Sequence, residues 1–78
     1  MDVHRVAGGV SAEDVAAAHA QDLEFQAAYG VDYLRYWVDE TSGHIFCLVD
    51  APDPDAAAAV HREAHGLVAD EIHPVIEG

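Results

Sequence analysis

The sequence predicts an α+β domain with elements in the order β-α-β-β-α-β, and three observations support this assignment. Two alanine-rich segments that begin at capping residues are typical of helices. The segment between them is rich in β-branched and aromatic residues and is divided by the turn Thr41 to Gly43, which indicates a hairpin. Short segments at both ends supply the remaining strands. This order is the ferredoxin-like arrangement, an antiparallel sheet with two helices on one face.

The first half of the chain contains the first strand and the first helix. Met1 to Val6 alternates weakly and predicts a short strand, and Ala7 to Gly9 is a flexible connection. Ser11 is a favourable N-cap, and Asp14 three residues later completes an approximate capping box. Gly30 is the stop signal, so the first helix is expected to end there.

The central hairpin is apolar on both faces. We expect Leu34, Tyr36 and Val38 on one face of its first strand, and Tyr33, Arg35 and Trp37 on the other. Its second strand likewise divides into Ile45, Cys47 and Val49 against Phe46 and Leu48. Because two helices can cover only one face of a sheet, the other face needs cover, most simply from a second copy of the chain. The sequence therefore predicts a homodimer packed sheet to sheet.

The last part of the chain contains the second helix and the fourth strand. Asp53 can cap this helix and Pro54 suits its first position, and the helix is expected to reach Leu67 or Val68. The segment "DEIHPVIE" is the last predicted strand. Because Pro74 has no amide hydrogen, this strand belongs at an edge of the sheet. The 78 residues are expected to form a single domain.

The charge balance excludes some partners. Fifteen acidic residues against three basic ones give a net charge of −12. Such a chain is a poor partner for nucleic acid or an anionic membrane, since both are bound by clusters of lysine and arginine. The acidic surface favours cations, or else serves solubility alone.

Cysteine usage and the N-terminal residues indicate the compartment. Cys47 is the only cysteine, so no disulfide can form within one chain, as is usual in a reducing compartment. The N-terminus lacks the apolar segment and cleavage pattern of a signal peptide, and no segment has the roughly 20 apolar residues needed to span a bilayer. We therefore expect a cytoplasmic protein.

The stretch "VHREAHG" places two histidines four residues apart near the end of the second helix. His61 and His65 therefore stack one turn apart, a spacing that can chelate a divalent ion. The zinc-protease motif also uses this spacing, but it needs glutamate where Arg62 stands, which excludes a metalloprotease. The alternative is a pair of solvated or cap-assisting histidines near the helix C-terminus, where positive charge is favoured.

The first helix carries a polar stripe containing a third histidine. The stripe consists of His19, Asp22, Gln26 and Tyr29, and it runs beside the face expected to be buried, which consists of Ala16, Ala20, Leu23 and Ala27. Because the two helices lie side by side, this stripe can meet the stripe of the second helix that carries His61 and His65. The predicted metal ligands are therefore His61, His65, His19 and Asp22, a donor set that suits nickel, zinc, copper or cobalt. The alternative is an ordinary hydrogen-bond network between the helices.

The other potential ligands are interpreted more simply. His4, His44 and His73 lie on or beside strands, where each is either an auxiliary ligand or a half-exposed polar residue. Cys47, in the middle of a strand, is most simply a small core residue. No set of nucleophile, base and orienting group is visible, and no phosphate-binding loop occurs, so no catalytic residue is predicted.

The tracts "AHAQDLEFQAAYGVDYLRYWVDE" and "FCLVDAPDPDAAAAVHREAHG" resemble the short bacterial nickel-binding proteins of ferredoxin-like fold. The resemblance covers nearly the whole chain. It implies a homodimer that binds nickel at its surface, with a role in nickel sequestration or detoxification and no catalytic activity. It does not by itself assign the ligands.

Two other functions are compatible with the sequence. A dimeric ferredoxin-like protein can hold a small organic molecule between helices and sheet, as a binder or an enzyme. Tyr33, Tyr36, Trp37 and Cys47 would line such a pocket. The third function is a dimerisation module in which the histidines bind nothing.

Overall fold

A computed structural model describes all 78 residues and confirms the α+β class and the predicted order of elements. Four antiparallel strands form one sheet in the order β2-β3-β1-β4, with two helices. The elements are β1 Asp2–Arg5, α1 Ala12–Phe25, β2 Asp32–Asp39, β3 His44–Asp50, α2 Pro54–Ala64 and β4 Glu71–Ile72. No helix has the length and apolar character that crossing a membrane would require.

The first helix begins as the sequence predicts. The Oγ atom of Ser11 accepts a hydrogen bond from the backbone N–H of Asp14 at 3.1 Å. The α-helix ends at Phe25 and continues as a 3₁₀-helix, Gln26–Tyr29, before Gly30 closes it with a φ of 66°. Glycine suits this left-handed conformation because it has no Cβ atom.

The prediction of which face of α1 is buried was wrong. The alanines and leucine expected to face the sheet are exposed: Ala16, Ala20, Leu23 and Ala27. The buried residues of α1 are Val15 and Asp22, so the polar stripe faces inward. An alanine methyl group gains little from burial, whereas Asp22 has the cationic His61 of α2 as a partner and Gln26 accepts a bond from the Tyr33 amide. These polar contacts decide the orientation of the helix.

A β-bulge in β2 changes the expected faces of the hairpin. Tyr33 pairs with Val49, but Arg35 pairs with Leu48, so two steps along β2 match one step along β3. The bulge brings Tyr33 to the same face as Tyr36 and Val38, not to the opposite face as strict alternation predicted. The partners of these residues on β3 are Val49, Cys47 and Ile45, which face the helices.

The second helix starts as predicted but ends early. The Asp53 carboxylate accepts a bond from the Ala56 amide at 2.8 Å, and Pro54 occupies the first helical position. The helix ends at Ala64, three or four residues before the predicted end. It stops because the amides of His65 and Gly66 both donate to the His61 carbonyl, and Gly66 then takes a φ of 79°.

The fourth strand lies at the sheet edge, as the proline predicted, but it is much shorter than expected. Only Glu71–Ile72 pairs with β1. The amide of His73 still donates to the Met1 carbonyl at 2.9 Å, and Pro74 then has no amide to continue the ladder. The strand therefore ends where its donors end.

The hydrophobic core lies between the helices and one face of the sheet. It draws residues from both helices and from the hairpin with its preceding connection: Val15, Val31, Tyr33, Ile45, Cys47, Ala57 and Val60. The other face leaves Leu34 and Trp37 57% and 49% exposed. The core is small, so polar contacts between helices contribute strongly to how the elements are arranged.

Candidate metal centre

The centre of the candidate site is His61, which is 1% exposed. Its Nδ1 atom lies 2.8 Å from Oδ1 of Asp22 on α1, and its Nε2 atom lies 2.9 Å from Oδ2 of Asp2 on β1. Each ring nitrogen therefore faces a carboxylate from a different element. One imidazole joins the second helix to the first helix and to an inner strand of the sheet.

His65, one turn after His61, completes a compact group of donor atoms. Its Nε2 atom lies 3.0 Å from Asp22 Oδ1 and 3.2 Å from His61 Nδ1. Its Nδ1 atom accepts a hydrogen bond from the Leu67 amide at 3.1 Å. The neutral His65 ring therefore carries its proton on Nε2 and donates it to Asp22. We call Asp2, Asp22, His61 and His65 the His61 cluster.

Asp2 is held by a second residue from the sheet. The Tyr33 hydroxyl lies 3.0 Å from Asp2 Oδ2 and 3.0 Å from the Ala57 carbonyl. Burial and the nearby Asp2 carboxylate raise the pKa of Tyr33, so the hydroxyl stays protonated and is a donor. The other Asp2 oxygen, Oδ1, is buried without a hydrogen-bond partner. A buried carboxylate oxygen with no donor is costly and is a point at which a cation would be stabilised.

A second group of potential ligands shares His61. His4, Cys47 and His61 are all buried, and their ligand atoms lie within 4.8 Å of one another, as do those of Asp22, His61 and His65. The His4 ring meets the His61 ring edge-on, with centroids 4.8 Å apart. Of the two interpretations of His4, the half-exposed polar residue was wrong, because its register with Ile45 turns it towards the helices.

The four predicted ligands do not all meet. The structure brings His61, His65 and Asp22 together. His19 instead lies against the Tyr36 ring, with centroids 4.7 Å apart, and belongs to neither group of donors. Of the other histidines, His44 stacks on Phe46 and His73 is exposed beside Glu71. The stripes on the two helices meet, as the sequence indicated, but over only part of their length.

The histidines of the site differ in charge. Burial alone would lower the pKa of His61, but its hydrogen bonds to Asp2 and Asp22 outweigh this and raise it to about 11. Burial lowers the pKa of His65 more than Asp22 raises it, and burial with the neighbouring His61 lowers the pKa of His4. At neutral pH, His61 is thus a cation between two carboxylates, and its neighbours are neutral imidazoles. The cationic ring of His61 therefore lies beside the neutral nitrogen donors of His4 and His65.

A cavity of about 220 Å³ opens beside the cluster. The side chains of Asp22, His61 and His65 form part of its lining. Tyr36 and Cys47 also line it, as the sequence predicted for an organic-ligand pocket, but Tyr33 and Trp37 do not. Trp37 lies on the opposite face of the sheet, where it pairs with Phe46.

Sequence reasoning missed Asp2, the hydrogen bond from Tyr33 to Asp2, and the inward position of His4. Strict alternation along β1 does place Asp2 and His4 on one face, and this was an available signal. Which face they share is decided by pairing with Cys47 and Ile45 on β3, and pairing is not encoded in β1 alone.

Taken together, the fold and the site define a small ferredoxin-like α+β protein with a histidine- and aspartate-rich candidate metal centre. The chain matches the family model of nickel-responsive SCO4226-like proteins over residues 1–75, and it belongs to this family. It is similar to the crystal structure of SCO4226 from Streptomyces coelicolor A3(2), with 38% sequence identity and a TM-score of 0.90. That match covers 99% of this chain and 94% of the other. No curated protein matches the chain.

Proposed function

We propose that this protein binds a divalent transition metal, nickel foremost, through Asp22, His61 and His65. The supporting observation is the triangle formed by Asp22 Oδ1, His61 Nδ1 and His65 Nε2, whose edges are 2.8, 3.0 and 3.2 Å. Adjacent ligands at right angles around an ion with bonds of about 2.1 Å lie about 3 Å apart. The three donors already have the spacing of neighbouring ligands on one ion.

The remaining contacts of the cluster suit a metal ligand as well. A histidine that binds a metal usually donates its other ring N–H to a carboxylate, which fixes the orientation of the ring. Asp2 occupies that position, 2.9 Å from His61 Nε2. Two imidazoles and a carboxylate suit nickel, and they also suit zinc, copper and cobalt. Membership of a nickel-responsive family favours nickel among these ions.

Metal uptake requires one proton to leave the site and another to move. His61 carries a proton on each nitrogen and must lose the one on Nδ1. The neutral His65 ring must shift its proton from Nε2 to Nδ1, which now accepts the bond from the Leu67 amide. Because protons compete with the ion for these nitrogens, uptake weakens as the solution becomes acidic. His19 lines the same cavity without joining the donors, so we assign it a minor role in metal binding.

Isothermal titration of nickel into untagged protein tests this proposal. His65→Ala removes a ligand at the cluster margin, and we expect nickel to bind at least about tenfold more weakly. His73→Ala is the matched control, because His73 is an exposed histidine outside the cluster. Equal nickel affinity in the His65→Ala variant and the wild type would remove the site assignment.

In the cell, we propose that the protein sequesters nickel and thereby limits its toxicity. The net charge of −12 concentrates cations near the surface, and the nickel-responsive family supports a role under nickel load. A strain that lacks the protein should grow less well in nickel than its parent. Restoring the His65→Ala form should not rescue growth, whereas the His73→Ala form should.

We further propose that the protein is a homodimer packed through the sheet face opposite the helices. Leu34, Trp37 and Phe46 are exposed there on neighbouring strands, and exposed apolar surface of this kind is usually covered in the native assembly. Light scattering at micromolar concentration should give the mass of two chains. A monomeric mass would contradict this assembly.

The cavity favours one alternative function, the binding of a small organic molecule, with or without catalysis. Its volume of about 220 Å³ exceeds what ordered water needs, and most of its wall is apolar. Native mass spectrometry of protein purified from its own cells would reveal a retained organic ligand. A nickel-free protein that carries such a ligand would favour this alternative over metal sequestration.

A further inference from the structure

The cavity and the candidate metal centre form one continuous site. Asp22, His61 and His65 are part of the lining of the cavity. The lining also includes apolar side chains: Val6, Val10, Val15, Ala18 and Ile45. An ion held by the three donors would therefore be in contact with the contents of the cavity.

The protein supplies too few ligands to surround such an ion. Three protein ligands leave at least one coordination position open, as in catalytic zinc sites, and nickel takes four or more ligands. Apolar side chains cannot fill that position. His4 and Cys47 also line the cavity, but their ligand atoms form a group with His61 and not with Asp22 and His65. His19 packs on Tyr36, and Asp14 is exposed. The position that the three ligands leave open is therefore available to water or to a small molecule in the cavity.

The volume indicates how large that molecule is. A protein cavity of about 150 Å³ is sufficient to hold benzene. At about 220 Å³, this cavity is larger. Covering its apolar wall is favourable only when the bound molecule is itself apolar there. The cavity therefore has room for a fused two-ring compound, which contacts more of the apolar wall than water or a single small ring does.

The charges around the site indicate which head group is accepted. Asp2 and Asp22 together balance a divalent ion, so an anionic head group would add an unbalanced negative charge in a mostly buried site. The acidic rim residue Asp14 and the net charge of −12 oppose an anion further. A protonated amine has no lone pair to offer. A neutral ring nitrogen fits both requirements and is a donor that nickel prefers.

We propose that the cavity binds a small, neutral nitrogen heteroaromatic compound whose ring nitrogen coordinates the ion held by Asp22, His61 and His65. This inference rests on the proposed metal site. It names a class of ligand for that site, in which the metal ion and the organic molecule are bound together. Binding of the compound is therefore coupled to the presence of nickel.

The test titrates three probes of similar size into nickel-loaded and metal-free protein at neutral pH. Benzimidazole is the expected ligand, indole lacks the basic ring nitrogen, and benzoate is the anionic comparison. Benzimidazole should bind nickel-loaded protein at least about tenfold more tightly than metal-free protein, and about tenfold more tightly than either other probe. It should also shift the visible absorption of the bound nickel.

A pair of variants tests the position of the probe. Ala18→Phe places a ring in the cavity and should abolish benzimidazole binding while nickel still binds. Ala17→Phe is the matched control, because Ala17 is exposed on the same helix and does not line the cavity. Ala18→Leu repeats the test with a smaller obstruction if the phenylalanine variant does not fold.

The outcomes separate the two proposals. If nickel binds through His65 but benzimidazole does not bind the nickel-loaded protein, the heteroaromatic-ligand proposal is refuted and the metal-site proposal stands. Equal binding of indole and benzimidazole, or equal binding with and without nickel, also refutes coordination by the ring nitrogen. If the first nickel titration shows no dependence on His65, both proposals fail.

Discussion

The Nδ1 atom of His61 lies 2.8 Å from the Oδ1 atom of Asp22, and these residues are 39 positions apart in the chain. This contact joins the two helices at a point where both side chains are buried. It explains why an aspartate, and not an alanine or leucine, occupies the inner face of α1.

Replacing His61 with alanine should destabilise the metal-free protein strongly. The change leaves the Asp2 and Asp22 carboxylates buried without their common partner. Breaking a buried charge pair from one side costs about 3–5 kcal/mol of the free energy of unfolding. Urea unfolding in the presence of a chelator measures the loss. His73→Ala should change the same free energy by less than about 0.5 kcal/mol, and an equally small effect of His61→Ala would contradict the role of the cluster in stability.

The stability of the metal-free protein should fall as pH rises above neutrality. The pKa of His61 is raised from 6.5 in the unfolded chain to about 11 in the fold, so its contribution is complete below pH 6.5 and is lost as pH rises through 11. The limiting slope for one proton is about 1.4 kcal/mol per pH unit. His4 and His65 have lowered pKa values, so their contribution is present above pH 6.5 and is lost as pH falls.

Urea midpoints measured over a series of pH values, with a chelator present, check this profile. The His61→Gln variant keeps a polar side chain but cannot titrate, so its stability should decline less at alkaline pH. A wild-type stability that rises between neutral pH and pH 9, or a slope that His61→Gln leaves unchanged, would show that His61 does not titrate as described.

Gly43 should be the glycine that least tolerates replacement by alanine. Its φ is 77°, and a Cβ atom there would overlap the carbonyl oxygen of Val6. Gly66 has a similar φ of 79° but open space around its Cα atom. Gly66→Ala should therefore cost about 1–2 kcal/mol for the left-handed backbone alone, and Gly43→Ala about 1–3 kcal/mol more for the overlap. Thermal or urea unfolding of both variants gives the comparison, and equal losses would argue against the close approach at Gly43.

The proposed dimer interface can be tested with one substitution and one control. Trp37 is 49% exposed on the sheet face opposite the helices, and Leu23 is 46% exposed on α1. Trp37→Asp places a charge in the proposed interface and should give a monomeric mass by light scattering. Leu23→Asp should leave the dimer intact. If Leu23→Asp gives monomers and Trp37→Asp does not, the chains pair through α1 instead.

The elements of the fold were largely predictable, because they depend on local chemistry. Ser11 and Asp53 cap the helices as expected, Pro54 begins the second helix, and the turn at Thr41 to Gly43 forms the hairpin. The end of α2 was not predicted, because it depends on two amides that share the His61 carbonyl. Such a cap is set by backbone geometry and has only the glycine at position 66 as its signal.

The candidate site was predictable only in part. The spacing of His61 and His65 at the end of one helix, and of Asp22 with His19 on the other, indicated these residues, because helical periodicity is a local property. The predicted face of α1 is wrong because burial of an alanine methyl group is less favourable than burial of a larger apolar side chain. Asp2 was missed because its position depends on pairing between strands that are distant in sequence.

The bulge in β2 adds one residue to this strand, and Leu34, the residue at the bulge, is exposed. Without Leu34, the residues Tyr33, Arg35 and Tyr36 would alternate strictly, and Tyr33 and Tyr36 would still lie opposite Val49 and Cys47. A deletion elsewhere in β2 removes no spare residue, so it would turn the strand beyond it over to the opposite face of the sheet. Single-residue deletions in this strand should therefore be tolerated at the bulge and nowhere else.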